Sequence, residues 1–280
     1  MPRLSLLLAA ALFSTGGAVI KAASLSGWQV ACLRSGFAAL ALLALLPSAR
    51  RGWTPGAWAV GLAYGATMLL FVLANKLTTS ANTIFLQSTA PLYIAVLSPW
   101  LLKERLRGAD LGLMAALAGG LALVVGEQAA GQPTAPDPAL GNTLAAVAGF
   151  TFAFTILGLR WLGARGSLAP VVAGNLVVFA VALPKALPLD TLGGADLSLM
   201  LYLGVFQIGL AYVFVTRGLA HVPAFEASLL LLLEPALNPL WTWLVHDERP
   251  GPMALLGGTL ILTATIAKAT LDRRRSRLTG

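Results

Sequence analysis

The sequence predicts an all-α integral membrane protein, with ten transmembrane helices arranged as two inverted five-helix repeats. Three observations lead there. Apolar residues make up 58% of the chain and charged residues only 11%, with a mean hydropathy of +0.81, whereas soluble domains carry roughly 25% charged residues. Two blocks 144 residues apart, STAPLYIAVLSPWLLKER and LLLEPALNPLWTWLVHDER, each set a proline thirteen positions before a Glu-Arg pair: Pro91 before Glu104, and Pro235 before Glu248. Repetition at such a distance marks two copies of one unit. The basic residues, finally, gather on one side of a ten-span arrangement.

A span needs about 20 mostly apolar residues. Ten such stretches lie at about 4–22, 28–47, 56–75, 82–102, 109–126, 139–159, 168–185, 197–216, 224–245 and 252–270. They leave no room for a soluble domain. Residues 1–126 form the first repeat, 127–138 (EQAAGQPTAPDP, Pro-rich and polar) an external linker, and 139–280 the second repeat with a basic tail. Fourteen basic residues fall on one face: Arg3, Arg50, Arg51, Lys103, Arg105, Arg107, Arg160, Arg165, Arg217, Lys268, Arg273, Arg274, Arg275 and Arg277. Four, Lys21, Lys76, Lys185 and Arg249, fall on the other. The positive-inside rule then places both termini in the cytoplasm. Five spans per repeat is an odd number, so the second repeat enters the membrane upside down. Lys103-Glu104-Arg105 faces the cytoplasm and Asp247-Glu248-Arg249 faces outward.

The first span follows Met1-Pro2-Arg3 and ends at Lys21-Ala22-Ala23-Ser24, in the manner of a signal peptide. Cleavage there would strip the first repeat of a helix that the second keeps, so the span is read as retained. The second span holds Cys32, the only cysteine, which reads as a small buried apolar residue. It also holds Arg34, about two turns inside the helix. Arg34 is read as snorkelling or as half of a buried structural pair, in preference to a partner for a substrate carboxylate.

Polar groups inside later spans are costly in lipid and turn toward protein or a cavity. The third span carries Tyr64, Thr67, Met68, Phe71 and Asn75 on one helical face. The fourth carries Asn82, Thr89 and Tyr93 on one face and Thr83 and Gln87 on the next. The sixth adds Thr151 and Thr155 among Phe150, Phe152 and Phe154; the eighth adds Tyr202, Phe206, Gln207 and Tyr212. The ninth carries Glu234, Asn238 and Trp241 at i, i+4 and i+7. Thr67, Thr83, Thr151 and Thr155 are read as interhelical packing. Pro91 and Pro235 each remove an amide donor and crowd the carbonyl four residues back, at Gln87 and Leu231. The substrate-binding candidates are Tyr64, Phe71, Asn82, Gln87, Tyr93, Gln207, Tyr212, Glu234, Asn238 and Trp241, with Pro91 and Pro235 as helix kinks. Glu234 is the carboxylate clearly inside a span, suited to exchanging a proton, to binding a substrate amino group, or to a structural bond. Glu226, near the cytoplasmic end of the ninth span, is read as solvated.

Enzyme chemistry finds no support. His221 and His246 fall in loops on opposite sides, and no GxSxG elbow, P-loop or HExxH pair is present. The net charge of +8 sits at helix ends instead of forming a stripe, which argues against a nucleic-acid partner. No cofactor or metal is expected. The expected partners are the lipid bilayer and a small-molecule substrate, with the protein a monomer.

The Pro91–Glu104 and Glu234-Pro235–Glu248 endings, Lys21 after the first helix, and Leu33-Arg34-Ser35-Gly36-Phe37 in the second together resemble the drug/metabolite transporters of the EamA type. Residues Phe13-Ser14-Thr15-Gly16-Gly17 depart from the Trp-Gly-Ser pattern common in that family's first helix. The resemblance covers nearly the whole chain and implies a ten-helix fold of two inverted repeats. It also implies a central cavity lined by helices 1, 3, 4, 6, 8 and 9, with hairpins 3–4 and 8–9 rocking to open each side. The short chain, acidic outer linker and aromatic-rich helices are most similar to the exporters of aromatic and other neutral amino acids. The function implied is inner-membrane export of small metabolites, amino acids above all. The alternative is multidrug export of organic cations, with Glu234, Trp241 and Tyr93 as the cation site; a channel or an intramembrane enzyme ranks below both.

Overall fold

The computed structural model describes residues 2–104, 108–125, 134–163, 168–190, 192–248, 251–253, 255–257, 259–260 and 263. Most of the expected tenth span, most of the linker, Arg105, Arg107, Arg165, Arg249 and the basic tail lie outside the described residues. Eight helices are long and apolar enough to cross a membrane: α1 Pro2–Ala22, α2 Gly27–Leu45, α3 Pro55–Leu77, α4 Ser80–Leu101, α6 Pro138–Leu162, α7 Ala169–Ala186, α8 Gly194–Leu219 and α9 Ala224–His246. Between α4 and α6 stands α5, Gly108–Val125. The all-helical membrane fold is the one the sequence predicts.

Helix starts follow local chemistry. Ser26 and Gln29 form a reciprocal capping box on α2. Thr54 and Pro55 open α3, Thr79 accepts from Asn82 N at the start of α4, and Asp137 with Pro138 opens α6. Each supplies an acceptor for first-turn amides that have no partner inside the helix, and proline fits the first helical position because it has no amide to satisfy.

Helix–helix contacts exchange across the repeat. In the first repeat α3 packs on α6 and α7; in the second its equivalent α8 packs on α1 and α2. Likewise α4 lies against α6 and α9 against α1. The pairs α2–α7 and α4–α9 map onto themselves, as an isologous twofold interface requires. The first segment of α4 (Ser80–Gln87) meets the second of α9 (Leu233–His246), and the second of α4 (Ala90–Leu101) meets the first of α9 (Ala224–Leu231). The equivalent helices therefore run antiparallel, which is the inversion expected of an odd number of spans per repeat.

Small residues allow these crossings. A Cβ on Gly65 would stand 3.0 Å from the Gly174 carbonyl oxygen, and one on Gly204 would stand 2.7 Å from that of Arg34. In a bilayer, helix association depends on such backbone proximity, because burial from lipid supplies little drive. Gly209, also in α8, has looser surroundings than Gly204; Gly204 makes the close approach to α2.

Candidate functional site

Four spans are interrupted near mid-depth. The helix of α1 breaks at Thr15, beside Gly16-Gly17. The first segment of α4 ends at Gln87 and that of α9 at Leu231, the residues whose carbonyls Pro91 and Pro235 deprive of a helical donor. In α8, Leu203–Leu210 winds as a π-helix, a form often found at functional sites. These interruptions surround one central cavity lined by Phe13, Arg34, Met68, Phe71 and Gln87 from the first repeat and Phe152, Gln207, Ile208, Tyr212 and Glu234 from the second. Met68 and Tyr212 are themselves 144 positions apart. The cavity measures about 20 Å³, room for about one water. A second void of the same size adjoins it, sharing Gln87, Phe152 and Glu234 and touching both Pro91 and Pro235.

Unsatisfied polar atoms crowd this small space. Arg34 is 1% exposed; its Nη2 donates to Met68 O at 3.0 Å, while Nε and Nη1 have no partner. Gln87 Oε1, Gln207 Oε1 and the Tyr212 hydroxyl are also buried without partners. Glu234, 7% exposed, makes no ion pair or hydrogen bond among the described residues. Buried polar groups are nearly always bonded, so this concentration marks a place built for something polar. A wider groove of about 310 Å³ runs between α3, the end of α4 and α6. Its lining is apolar and includes the exposed Leu101, Phe154 and Trp161, so it is a feature of the lipid-facing surface.

The cavity is closed at both ends by two related latches. At one end Glu104 accepts from Ala224 N at 2.9 Å, the first amide of α9, and pairs with Arg160 Nε at 2.8 Å. At the other, Glu248 accepts from Ser80 N at 3.3 Å, the first amide of α4, and lies 3.6 Å from Lys21 Nζ. Glu104 and Glu248 are 144 positions apart, as are Ala224 and Ser80. Each carboxylate thus caps the opposite repeat's helix where the backbone dipole favours an anion. The residues before them, Lys103 (φ 57°) and Asp247 (φ 51°), are the two non-glycine residues in the left-handed region among those described. They too are 144 positions apart, and the turn they impose aims each glutamate across the repeat boundary. Asn238 Nδ2 to Ser80 Oγ (2.9 Å) and His246 Nε2 with Ala18 O (2.8 Å) reinforce the Glu248 end. Arg3 with Glu226 (2.6 Å) reinforces the Glu104 end, so Glu226 is part-buried in an ion pair and not simply solvated.

The EamA-like transporter family model matches residues 3–126 and 139–267. The chain belongs to that family. A solved crystal structure, 21% identical, superposes with a TM-score of 0.70 over 98% of this chain and 98% of that one, which is a likeness of fold. No curated protein sequence is significantly similar to this chain. As an EamA-like transporter, the chain is a multi-pass membrane protein that moves small molecules.

Within this EamA-like transporter the expected site residues divide. Phe71, Gln87, Gln207, Tyr212 and Glu234 line the cavity. Tyr64 stands behind it, accepting from Asn175 Nδ2 at 2.9 Å and packed edge-on to Tyr212 at 4.7 Å. Three others are displaced toward the Glu248 end. Asn82 reaches Asn142, Asn238 bonds Ser80, and Trp241 Nε1 donates to Ser14 Oγ while the ring is 38% exposed. Tyr93 leaves the site entirely, packing edge-on to Phe150, itself 45% exposed. The reading of Arg34 is corrected outright. It neither snorkels nor joins an ion pair among the described residues; it faces the cavity. Phe13, Met68, Phe152 and Ile208 complete the lining; Met68 lies on the third-span stripe, and Phe13 and Ile208 belong to no stripe. Thr67 bonds Thr151 at 2.9 Å and lies 3.3 Å from Thr155, an interhelical contact of α3 with α6.

Proposed function

We propose that this chain exports small metabolites, principally neutral and aromatic amino acids, by alternating access across a bacterial-type inner membrane. One observation carries the reading: a mixed polar and aromatic cavity, built equally from both repeats, lies between two latches that are copies of each other. Opening either latch exposes the same residues to one side. The aromatic walls, Phe13, Phe71 and Phe152, suit an apolar side chain, and Glu234 suits an amino group. A space of about 20 Å³ is too small for an amino acid, so substrate enters when one latch is released. The repeats take residues 1–126 and 139–280 with 127–138 as an outer linker, and the charge count of fourteen against four favours both termini in the cytoplasm. Export of organic cations fits less well, because the Arg34 guanidinium repels a cation from the lining.

The test uses the purified protein in liposomes preloaded with one amino acid and challenged with a labelled panel. Saturable counterflow of neutral amino acids is the expected result. Uptake of lipophilic cations alone would sink the reading, and flux that never saturates would point to a channel. Repeating the assay under a pH gradient with Glu234→Gln tests proton coupling: a coupled carrier responds to the gradient and its variant does not.

A further inference from the structure

We propose that Arg34 and Glu234 form a two-ended receptor for a zwitterion, the guanidinium taking the substrate's carboxylate and Glu234 its ammonium group. This rests on the amino-acid reading above and assigns its two polar contacts. The two side chains come from different repeats, α2 and α9, yet both face the one cavity. Both are buried, at 1% and 7% exposure, and they do not pair with each other. Burying two opposite charges separately is costly unless each meets a partner. A molecule with a carboxylate at one end and an ammonium at the other satisfies both, and leaves the occupied site with no net uncompensated charge.

The remaining groups divide in the same sense. Arg34 keeps Nε and Nη1 unbonded, giving three N–H donors for an anion. Gln87 Oε1 is a buried acceptor without a donor and shares both voids with Glu234, so an ammonium there meets two acceptors. The Tyr212 hydroxyl, also unbonded, lines the same cavity as Arg34 and Glu234. The bond from Arg34 Nη2 to Met68 O fixes the guanidinium and leaves its Nε and Nη1 donors unbonded. A simple cation would satisfy Glu234 and meet repulsion at Arg34; a simple anion would meet the reverse.

The test compares competitors of labelled leucine counterflow in proteoliposomes: leucine, leucinamide, the decarboxylated amine, and the deaminated acid. Wild type is expected to favour leucine over each single-charge analogue by roughly 10- to 100-fold, the scale of hydrogen bonds to a buried charge. Arg34→Gln should lose the discrimination between leucine and its amide while keeping that against the deaminated acid. Glu234→Gln should do the opposite, and Arg34→Lys should keep part of the preference. The analogue series on wild type stands even where a variant does not fold. Amide or amine competing as well as leucine overturns the receptor while leaving amino-acid export intact. Absence of any amino-acid counterflow, with lipophilic cations transported, overturns both.

Discussion

Replacing either latch glutamate by glutamine should open the transporter toward one face, and the two replacements should open opposite faces. The Glu248 side chain is 3% exposed and accepts from Ser80 N at 3.3 Å and Thr134 Oγ1 at 2.9 Å. Glutamine preserves the shape and one acceptor but converts charge-assisted bonds to neutral ones, at about 1 kcal/mol each. It also leaves buried Lys21 without its anion. The closed state at that end should lose about 2–3 kcal/mol, or roughly 30- to 150-fold in the opening equilibrium. The Glu104–Arg160 pair is more solvated, at 19% and 25% exposure, so Glu104→Gln should release its end by about 1 kcal/mol, roughly fivefold. The assay exploits the single cysteine. In a Cys32→Ala, Phe71→Cys background, a membrane-impermeant thiol reagent reports cavity access from each face of oriented vesicles. Glu248→Gln should accelerate labelling from the Glu248 side and Glu104→Gln, less strongly, from the Glu104 side. Acceleration from the same face in both variants, or in neither, refutes the latch reasoning.

Three further outcomes are expected. Gly174→Ala drives a Cβ into the Tyr64 ring and the Gly61 carbonyl oxygen and should lower thermal stability in detergent by about 1–3 kcal/mol; an unchanged melting temperature counts against the close α3–α7 crossing. Tyr64→Phe removes the acceptor of Asn175 Nδ2 and should destabilise by about 1 kcal/mol without altering KM. A raised KM would mean that its hydroxyl touches substrate after all. Lys103→Gly relieves a left-handed residue and should stabilise by about 0.5–1 kcal/mol, read from thermal unfolding; destabilisation would show that the Lys103 side chain has a role of its own.

The span positions, the duplication and the proline breaks of α4 and α9 were legible in the sequence because each depends on local chemistry; the break of α1 at Thr15 and the π-helix of α8 were not. Twenty apolar residues bury their own amides, and a proline removes a donor wherever it stands, so the breaks at Gln87 and Leu231 need no knowledge of neighbours. The composition of the cavity was only half legible. Helical periodicity put Glu234, Asn238 and Trp241 on one face, but four residues of rise carry Asn238 about 6 Å along the axis, far enough to meet Ser80 at the latch. Which depth of a stripe meets the void depends on where the opposite repeat breaks its own helix. Arg34 shows the same limit more sharply. Its burial follows from α2 packing against α7 and α8, and nothing within the second span distinguishes that face from one turned to lipid. The sequence by itself determined the apolar helices described and the proline bends of α4 and α9, set by interactions among near neighbours. The tertiary structure alone decided that charges 200 positions apart in the chain, Arg34 and Glu234, share one cavity, because a twofold interface joins residues that no local period connects.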